Sequence, residues 1–408
     1  MTALAFVYEA SPTRVVFAPG GLSRLGDEAG RLNLERVLVL STVQQIRHAE
    51  QAAAALGARL AGSFAGAAMH TPVEVTNEAF ALVRKIQADG LVAIGGGSAI
   101  GLAKALALRT DLPQIVVPTT YAGSEATPIL GETKKGLKTT QRSVKVLPAV
   151  ILYDVELSLS LPVALSVSSG LNAIAHAAEA LYAEDRNPLI QVMAEEAVRV
   201  LAAALPRIHA QPNDITARSE ALYGAWLCGT CLGAVGMALH HKICHTLGGA
   251  FGLPHAETHA VMLPHALAYN LSTARDAGWR LVQTSSASSG SPVSPERNRS
   301  LPSNSTLDRC RNQSQHLAQA AKAEARTKVP LDQNRYEQHL AGVTYGKEDG
   351  SPEAPDAQKI GRDARDYRAD RHRQSCAGPK HQDAGRHTCG RPEHGDVIRF
   401  GKQQKAQP

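Results

Sequence analysis

Residues Gly90–Lys104 read GLVAIGGGSAIGLAK. An apolar run of strand length ends in three consecutive glycines, and a stretch of helical pattern follows. Strand, tight turn and helix form the repeating unit of a parallel sheet, whose neighbouring strands need a covering crossover between them. Gly95, Gly96 and Gly97 permit backbone angles barred to other residues and let amide groups approach a phosphate closely. Ser98 is placed to cap the helix and to offer a hydroxyl. The helix N-terminus then favours a pyrophosphate anion. A glycine turn also serves as a ligand-free connection, so its neighbours decide the reading.

RVLVLST (Arg36–Thr42) and QIVVPTT (Gln114–Thr120) likewise end apolar runs in small polar residues, and PVEVTNEAFALVRKIQADG (Pro72–Gly90) is helical in pattern. In such sheets the ligand lies beyond the carboxyl ends of the strands. The pattern predicts an α/β dinucleotide-binding domain with a parallel sheet over residues 1–155. Its cofactor-binding residues are Gly95, Gly96, Gly97 and Ser98, then Thr119, Thr120 and Ser124 in PTTYAGSEATP, and Ser41 and Thr42 in LSTVQQ. LSTVQQ offers no carboxylate for a ribose hydroxyl, so either NADH or NADPH is expected.

Residues 156–283 show no strand pattern. SVSSGLNAIAHAAEALYAED, NPLIQVMAEEAVRVLAAALPRI and TARSEALYGAWLCGTCLGAVGMALHH all carry helical spacing, and Asn187-Pro188 is a helix start. An all-α C-terminal domain follows. The uncharged segment Ala221–Leu239 reads as a buried helix rather than a membrane span, being rich in Gly, Ala, Cys and Thr and ending on histidines. Cys228 and Cys231 then share a packed face, with no second pair at zinc-ribbon spacing. The N-terminal apolar run is too short for a signal peptide, so a cytoplasmic location is expected.

The formal charge of +6 is unevenly placed. Residues 1–283 carry 22 Lys and Arg against 22 Asp and Glu, and residues 284–408 carry 21 against 15. The last segment opens TSSASSGSPVSPERNRSLPSNS and holds 18 Val, Ile, Leu, Phe, Tyr or Cys in 125 residues. Such a composition buries too little surface to offset its ordering entropy, so a disordered tail is expected. Its loss of periodicity is also what an out-of-frame reading of a GC-rich gene gives. Interleaved Asp and Arg in GRDARDYRADRHRQ argue against nucleic-acid binding.

The chemistry-bearing residues lie in the helical region. Asn172 and His176 are four apart, as are His241 and His245, and each pair shares a helix face. His255 follows ten residues later, after Gly248-Gly249. Two polar faces and a returning histidine make a convergent pocket. His240 and His259 flank it.

GGGSAIGLAK, PTTYAGSEATP, SGLNAIAHAAEALY and HHKICHTLGGAFGLPHAETHAVMLPHALAYN together resemble the iron-containing alcohol dehydrogenase superfamily, most closely its maleylacetate reductase branch. The resemblance spans about residues 5–275. It implies an active site between the two domains, a nicotinamide cofactor, a small dicarboxylate substrate and assembly as a homodimer, with no nucleic-acid or membrane partner. It implies reduction of maleylacetate to 3-oxoadipate in (chloro)aromatic breakdown. The ligands of metal-binding relatives fall on Asn172, His176, His241 and His255. A carboxamide at 172 replaces a carboxylate, and Gly101 stands where metal-dependent relatives carry Asp. From these departures no metal is expected to be required. Hydride adds to the alkene carbon β to the ketone, and charge develops as an enolate. Asn172, His176, His241, His245 and His255 are then the catalytic set, with imidazolium groups delivering the proton. Lys242 is the candidate for pairing with a substrate carboxylate. A metal-dependent alcohol dehydrogenase, or an inactive product, is the alternative.

Overall fold

A computed structural model describes residues 5–135, 137–251, 253–271 and 273–288. The chain falls into two units, residues 1–331 and 332–408, and the described residues belong to the first. Eight strands are β1 (Arg14–Phe17), β2 (Val37–Leu40), β3 (Leu60–Phe64), β4 (Gly90–Gly95), β5 (Gln114–Pro118), β6 (Ile129–Lys134), β7 (Leu137–Arg142) and β8 (Val150–Tyr153). Helices of the same region are α1 (Leu25–Arg31), α2 (Ile46–Leu56), α3 (Val73–Lys85), α4 (Gly97–Thr110) and α5 (Val155–Ser158). Then come α6 (Val163–Tyr182), α7 (Pro188–Ala210), α8 (Ile215–Ala234), α9 (Leu239–Phe251), α10 (His255–Asn270) and α11 (Arg275–Ser288).

Six strands form one parallel sheet in the order β1-β8-β5-β4-β2-β3. Every residue of β2, β4, β5 and β8 is buried. Parallel strands covered on both faces need such continuous apolar runs. Successive side chains alternate between the faces. Val37, Val39, Val92, Ile94, Ile115 and Val117 pack with Leu25, Ala49 and Ala52 of α1 and α2. Leu38, Leu40, Leu91, Ala93 and Val116 pack with Ala79, Val83, Ile100 and Leu106 of α3 and α4. The small antiparallel pair β6–β7 lies outside this sheet.

The expected parallel sheet and helical region are both present. Asn187 caps α7 as its sequence indicates, its Oδ1 accepting from the Leu189 and Ile190 amides at 3.1 Å. Ala221–Leu239 is broken: α8 ends at Ala234 and α9 begins at Leu239. Cys228 and Cys231 are buried free thiols on α8. No single helix among the described residues is long and apolar enough to cross a membrane. Of the tail expected from residue 284, α11 includes 284–288. Residues 289–408 lie outside the described residues, and with them the disordered or out-of-frame tail.

The sheet and the helices share one apolar cluster, in which Tyr121, Ile151 and Tyr153 meet Leu171, Ala177, Leu201 and Cys228. The closest approach is backbone on backbone. A Cβ on Gly229 would fall far inside contact with the Gly123 carbonyl, and one on Gly123 would lie 2.7 Å from the Ala225 carbonyl oxygen. Gly123 also holds φ +72°, a left-handed angle that glycine adopts freely. Gly229→Ala is expected to destabilise the protein by about 3 kcal/mol, because neither backbone can yield cheaply. A lowered urea midpoint with an unchanged slope checks this.

Candidate active site

The loops after β2, β4 and β5 open on one sheet edge. Thr119 N donates to Gly95 O at 3.0 Å, joining two of them. Gly95 holds φ +141°, and a Cβ on Gly96 would lie 2.9 Å from Thr120 Cγ2. Nothing lies within 4 Å of the Cβ position of Gly97, so the helix start faces open space. Ser98 does not cap α4, contrary to the sequence reading. The cap falls two residues earlier, on Gly96, and carries no side-chain cap bond. The first-turn amides are therefore left for an anion. Thr119 Oγ1, Thr120 Oγ1 and Ser124 Oγ are buried atoms with no partner among the described residues. Ser41 is buried and Thr42 half-buried after β2.

Lys104, within the opening motif but passed over there, anchors this edge. Its buried ammonium donates to Ser124 O at 2.6 Å, Thr127 O at 2.7 Å, Thr127 Oγ1 at 3.0 Å and Ile129 O at 3.0 Å. Gly101 has a packing reason: a Cβ there would collide with Thr71 Oγ1, so an Asp at this position needs Thr71 to move.

Asn172 and His176 lie on α6, His240, His241 and His245 on α9, and His255 and His259 on α10. The structure brings the histidines together. Ring centroids of His176 and His241 are 5.0 Å apart, of His241 and His259 4.9 Å, of His245 and His255 5.8 Å, and of His255 and His259 4.3 Å. His240 and His259, read as flanking, are fully buried and bonded Nε2 to Nδ1 at 3.0 Å. Asn172 Oδ1, His176 Nδ1, His241 Nε2 and His259 Nε2 are buried without partners among the described residues.

Sequence reasoning missed Glu179. One turn beyond His176 on α6, its buried carboxylate lies 2.6 Å from His241 Nδ1. It also accepts from the amides of Ala238 at 3.1 Å and His240 at 2.7 Å, capping the first turn of α9. Burial pushes this carboxyl up, but the bonds from His241 and the Ala238 amide outweigh it and hold it below its ordinary value. The carboxylate fixes the His241 tautomer: Nδ1 carries the proton and Nε2 presents a lone pair. The spacing of 172, 176 and 179 on one helix face was the available signal. The cluster is thus not free of negative charge, as the amide at 172 suggests.

Two further expectations are corrected. Burial lowers His240 and His245 to about 4 and His255 to about 3. It also holds His176 and His259 well below their ordinary value. These rings are neutral at neutral pH, so ready-made imidazolium donors are absent from this set. Lys242 is exposed beside buried His241, because adjacent helical residues point about 100° apart. Lys138, on β7, instead acts electrostatically on His245 and His255.

Comparison with known proteins identifies the family. A model described as "Iron-containing alcohol dehydrogenase" matches residues 12–155, and one for the C-terminal part of the Fe-containing alcohol dehydrogenase family matches residues 166–325. The chain belongs to the iron-containing alcohol dehydrogenase family. As a member it is an oxidoreductase acting on a small molecule. It is 60% identical over 264 residues to a maleylacetate reductase of Rhizobium sp., covering 65% of this chain and 75% of that one. It is 55% identical over 285 residues to one of Burkholderia cepacia, covering 70% and 81%. The crystal structure of the Rhizobium maleylacetate reductase superposes with a TM-score of 0.66 at 49% identity, covering 78% of this chain and 98% of that one.

Membership in this iron-containing family overturns the expectation that no metal is required, since the family implies a bound metal. The residues present fit one. Nitrogens of His245, His255 and His259 lie within 4.8 Å of one another, and Asn172 Oδ1, His176 Nδ1 and His241 Nε2 are buried and unpartnered among the described residues. Neutral imidazoles are the ligating form, and a carboxylate behind one of them is the usual support for a ligand histidine. Glu179 supplies the charge that Asn172 lacks.

Proposed function

We propose that this chain is a maleylacetate reductase, which adds hydride from NADH or NADPH and a proton drawn from solvent across the substrate double bond and forms 3-oxoadipate. The similarity to maleylacetate reductases from several bacteria carries the reading, at 60%, 57% and 55% identity in three of them. These relatives do not favour the alternatives, a metal-dependent alcohol dehydrogenase or an inactive product.

The amides at the start of α4, with Gly95, Gly96, Gly97 and Ser98, receive the cofactor pyrophosphate. The hydroxyls of Thr119, Thr120 and Ser124, with Ser41 and Thr42 after β2, line the same edge. Asn172, His176, His241 and His255, together with His245 and His259 whose nitrogens converge with that of His255, would hold a divalent ion. When bound, the ion supplies Lewis-acid polarisation of the substrate ketone. Glu179 keeps the His241 lone pair aimed inward. A ring N–H of the cluster that is not turned to Glu179 or engaged by the ion would be available to the developing enolate oxygen. The substrate is a small dicarboxylate.

Incubating the full chain with NADH and maleylacetate tests the reading. Loss of nicotinamide absorbance that depends on maleylacetate is expected. A folded protein that leaves NADH and NADPH unchanged contradicts it.

A further inference from the structure

The substrate proposed above carries two carboxylates, and a buried carboxylate, Glu179, already stands behind the histidine cluster where it would bind. A divalent ion in the cluster would engage the ketone, so the carboxylates call for a cationic side chain of their own. Most basic groups near the site are already engaged. Lys104 is held by four oxygen acceptors. Arg218 is buried against the carbonyls of Pro212, Ser158 and Leu161. Arg142 donates to the Gly233 carbonyl, and Lys242 is exposed.

Lys138 differs from all of these. It pairs with Thr133 across the β6–β7 hairpin, and its Nζ would lie 3.9 Å from a Cβ on Gly131. The absence of a side chain at Gly131 therefore leaves room for the lysine stem. The hairpin is fixed on two sides. Thr133 N donates to Thr71 O at 3.1 Å, and Arg142 ties the far end to the C-terminus of α8. The ammonium is partly buried and acts on His245 of α9, His255 of α10 and His70 before α3. No acceptor lies within hydrogen-bond distance of Nζ among the described residues. His70 and Thr71 hold φ +63° and +48°, so the segment beside this cation is strained as well.

We propose that Lys138 is a specificity-determining residue, whose ammonium pairs with a carboxylate of the substrate bound at the histidine cluster. This rests on the function proposed above. A partly buried cation without a counter-ion gains most from an anion, whereas a neutral substrate leaves it unpaired. The pairing favours dicarboxylates over simple alcohols and aldehydes.

Lys138→Met and Lys138→Arg in the full chain test this by steady-state kinetics with maleylacetate and with its neutral diester. Lys138→Met is expected to raise KM for maleylacetate about 30-fold or more, the loss given by truncating one partner of a buried charge pair. KM for NADH and the bound-metal content stay unchanged, the diester shows no difference, and Lys138→Arg recovers part of the loss. An unchanged KM for maleylacetate, or an equal rise for the diester, overturns the assignment. Calorimetric titration with succinate, an inert dicarboxylate, keeps the two claims separable. If the wild type does not turn over maleylacetate, the function fails. Succinate must still bind more weakly to Lys138→Met, and equal affinity overturns the role of Lys138.

Discussion

Glu179→Ala lowers divalent-ion affinity and turnover together, by about 10–100-fold each, the range for losing a carboxylate behind a ligand histidine. Several contacts disappear at once. His241 Nδ1 loses its partner at 2.6 Å, and the amides of Ala238 and His240 lose theirs. The ring is then free to turn, so its Nε2 no longer faces the other donors. The first turn of α9 loses its cap, and a buried N–H left unsatisfied adds about 1–3 kcal/mol of destabilisation. Glu179→Gln separates the effects. It retains an oxygen for the helix cap but gives up the charge. Metal content by elemental analysis, measured beside the thermal midpoint, distinguishes them. Glu179→Gln should fold nearly as well as wild type and still hold the ion more weakly. Equal ion affinity in both variants and wild type would mean that the cluster needs no charge behind it.

Acid is the second strong perturbation. Burial lowers the native pKa of His240 and His245 to about 4 and of His255 to about 3, whereas an unfolded histidine titrates near 6.5. Below about pH 6.5 the unfolded chain takes up protons that the folded chain refuses, so stability falls as pH falls. Glu179 acts in the same direction at lower pH. Its native pKa is depressed, so its stabilisation is present above about 4.5 and fades below it. At about pH 5 each of the three rings withdraws up to about 2 kcal/mol, and together they approach the whole stability of an ordinary domain. Urea midpoints at about pH 7.5 and pH 5 check this, the metal-free protein losing most of its stability at the lower value. Added divalent ion should recover part of the loss, because ligation competes with protons for the same lone pairs. A midpoint insensitive to pH over this range would show that the rings are hydrated and not buried as described.

The sheet was legible where its strands are covered on both faces. Val37–Leu40, Gly90–Gly95 and Gln114–Pro118 are continuous apolar runs ending in small residues, and that pattern has few other uses. β3 was not legible, because this edge strand leaves several residues partly exposed and carries Gly and Ser. The β6–β7 hairpin was missed for a related reason. ILGETK and LKTTQR are polar, and their pairing creates the place of Lys138 without any apolar signature. In the site, the histidines were found because helical spacing is a local property. Glu179 obeys the same spacing but looks like an ordinary solvated helix residue until α9 packs against it. Lys242 misled through adjacency, since the residue next to a buried ligand on a helix faces elsewhere. The strand–turn–helix motif was legible, yet Ser98 was read as the cap when it lies two positions inside it, because glycine at 96 can begin the helix unaided.

The fate of the transferred hydride tests the central claim most directly. With NADH carrying deuterium at the transferable position, the account predicts 3-oxoadipate labelled at the carbon β to the ketone, with the ketone intact. Deuterium on a newly formed carbinol carbon, with the double bond retained, would show that the histidine cluster reduces the carbonyl, and would contradict it.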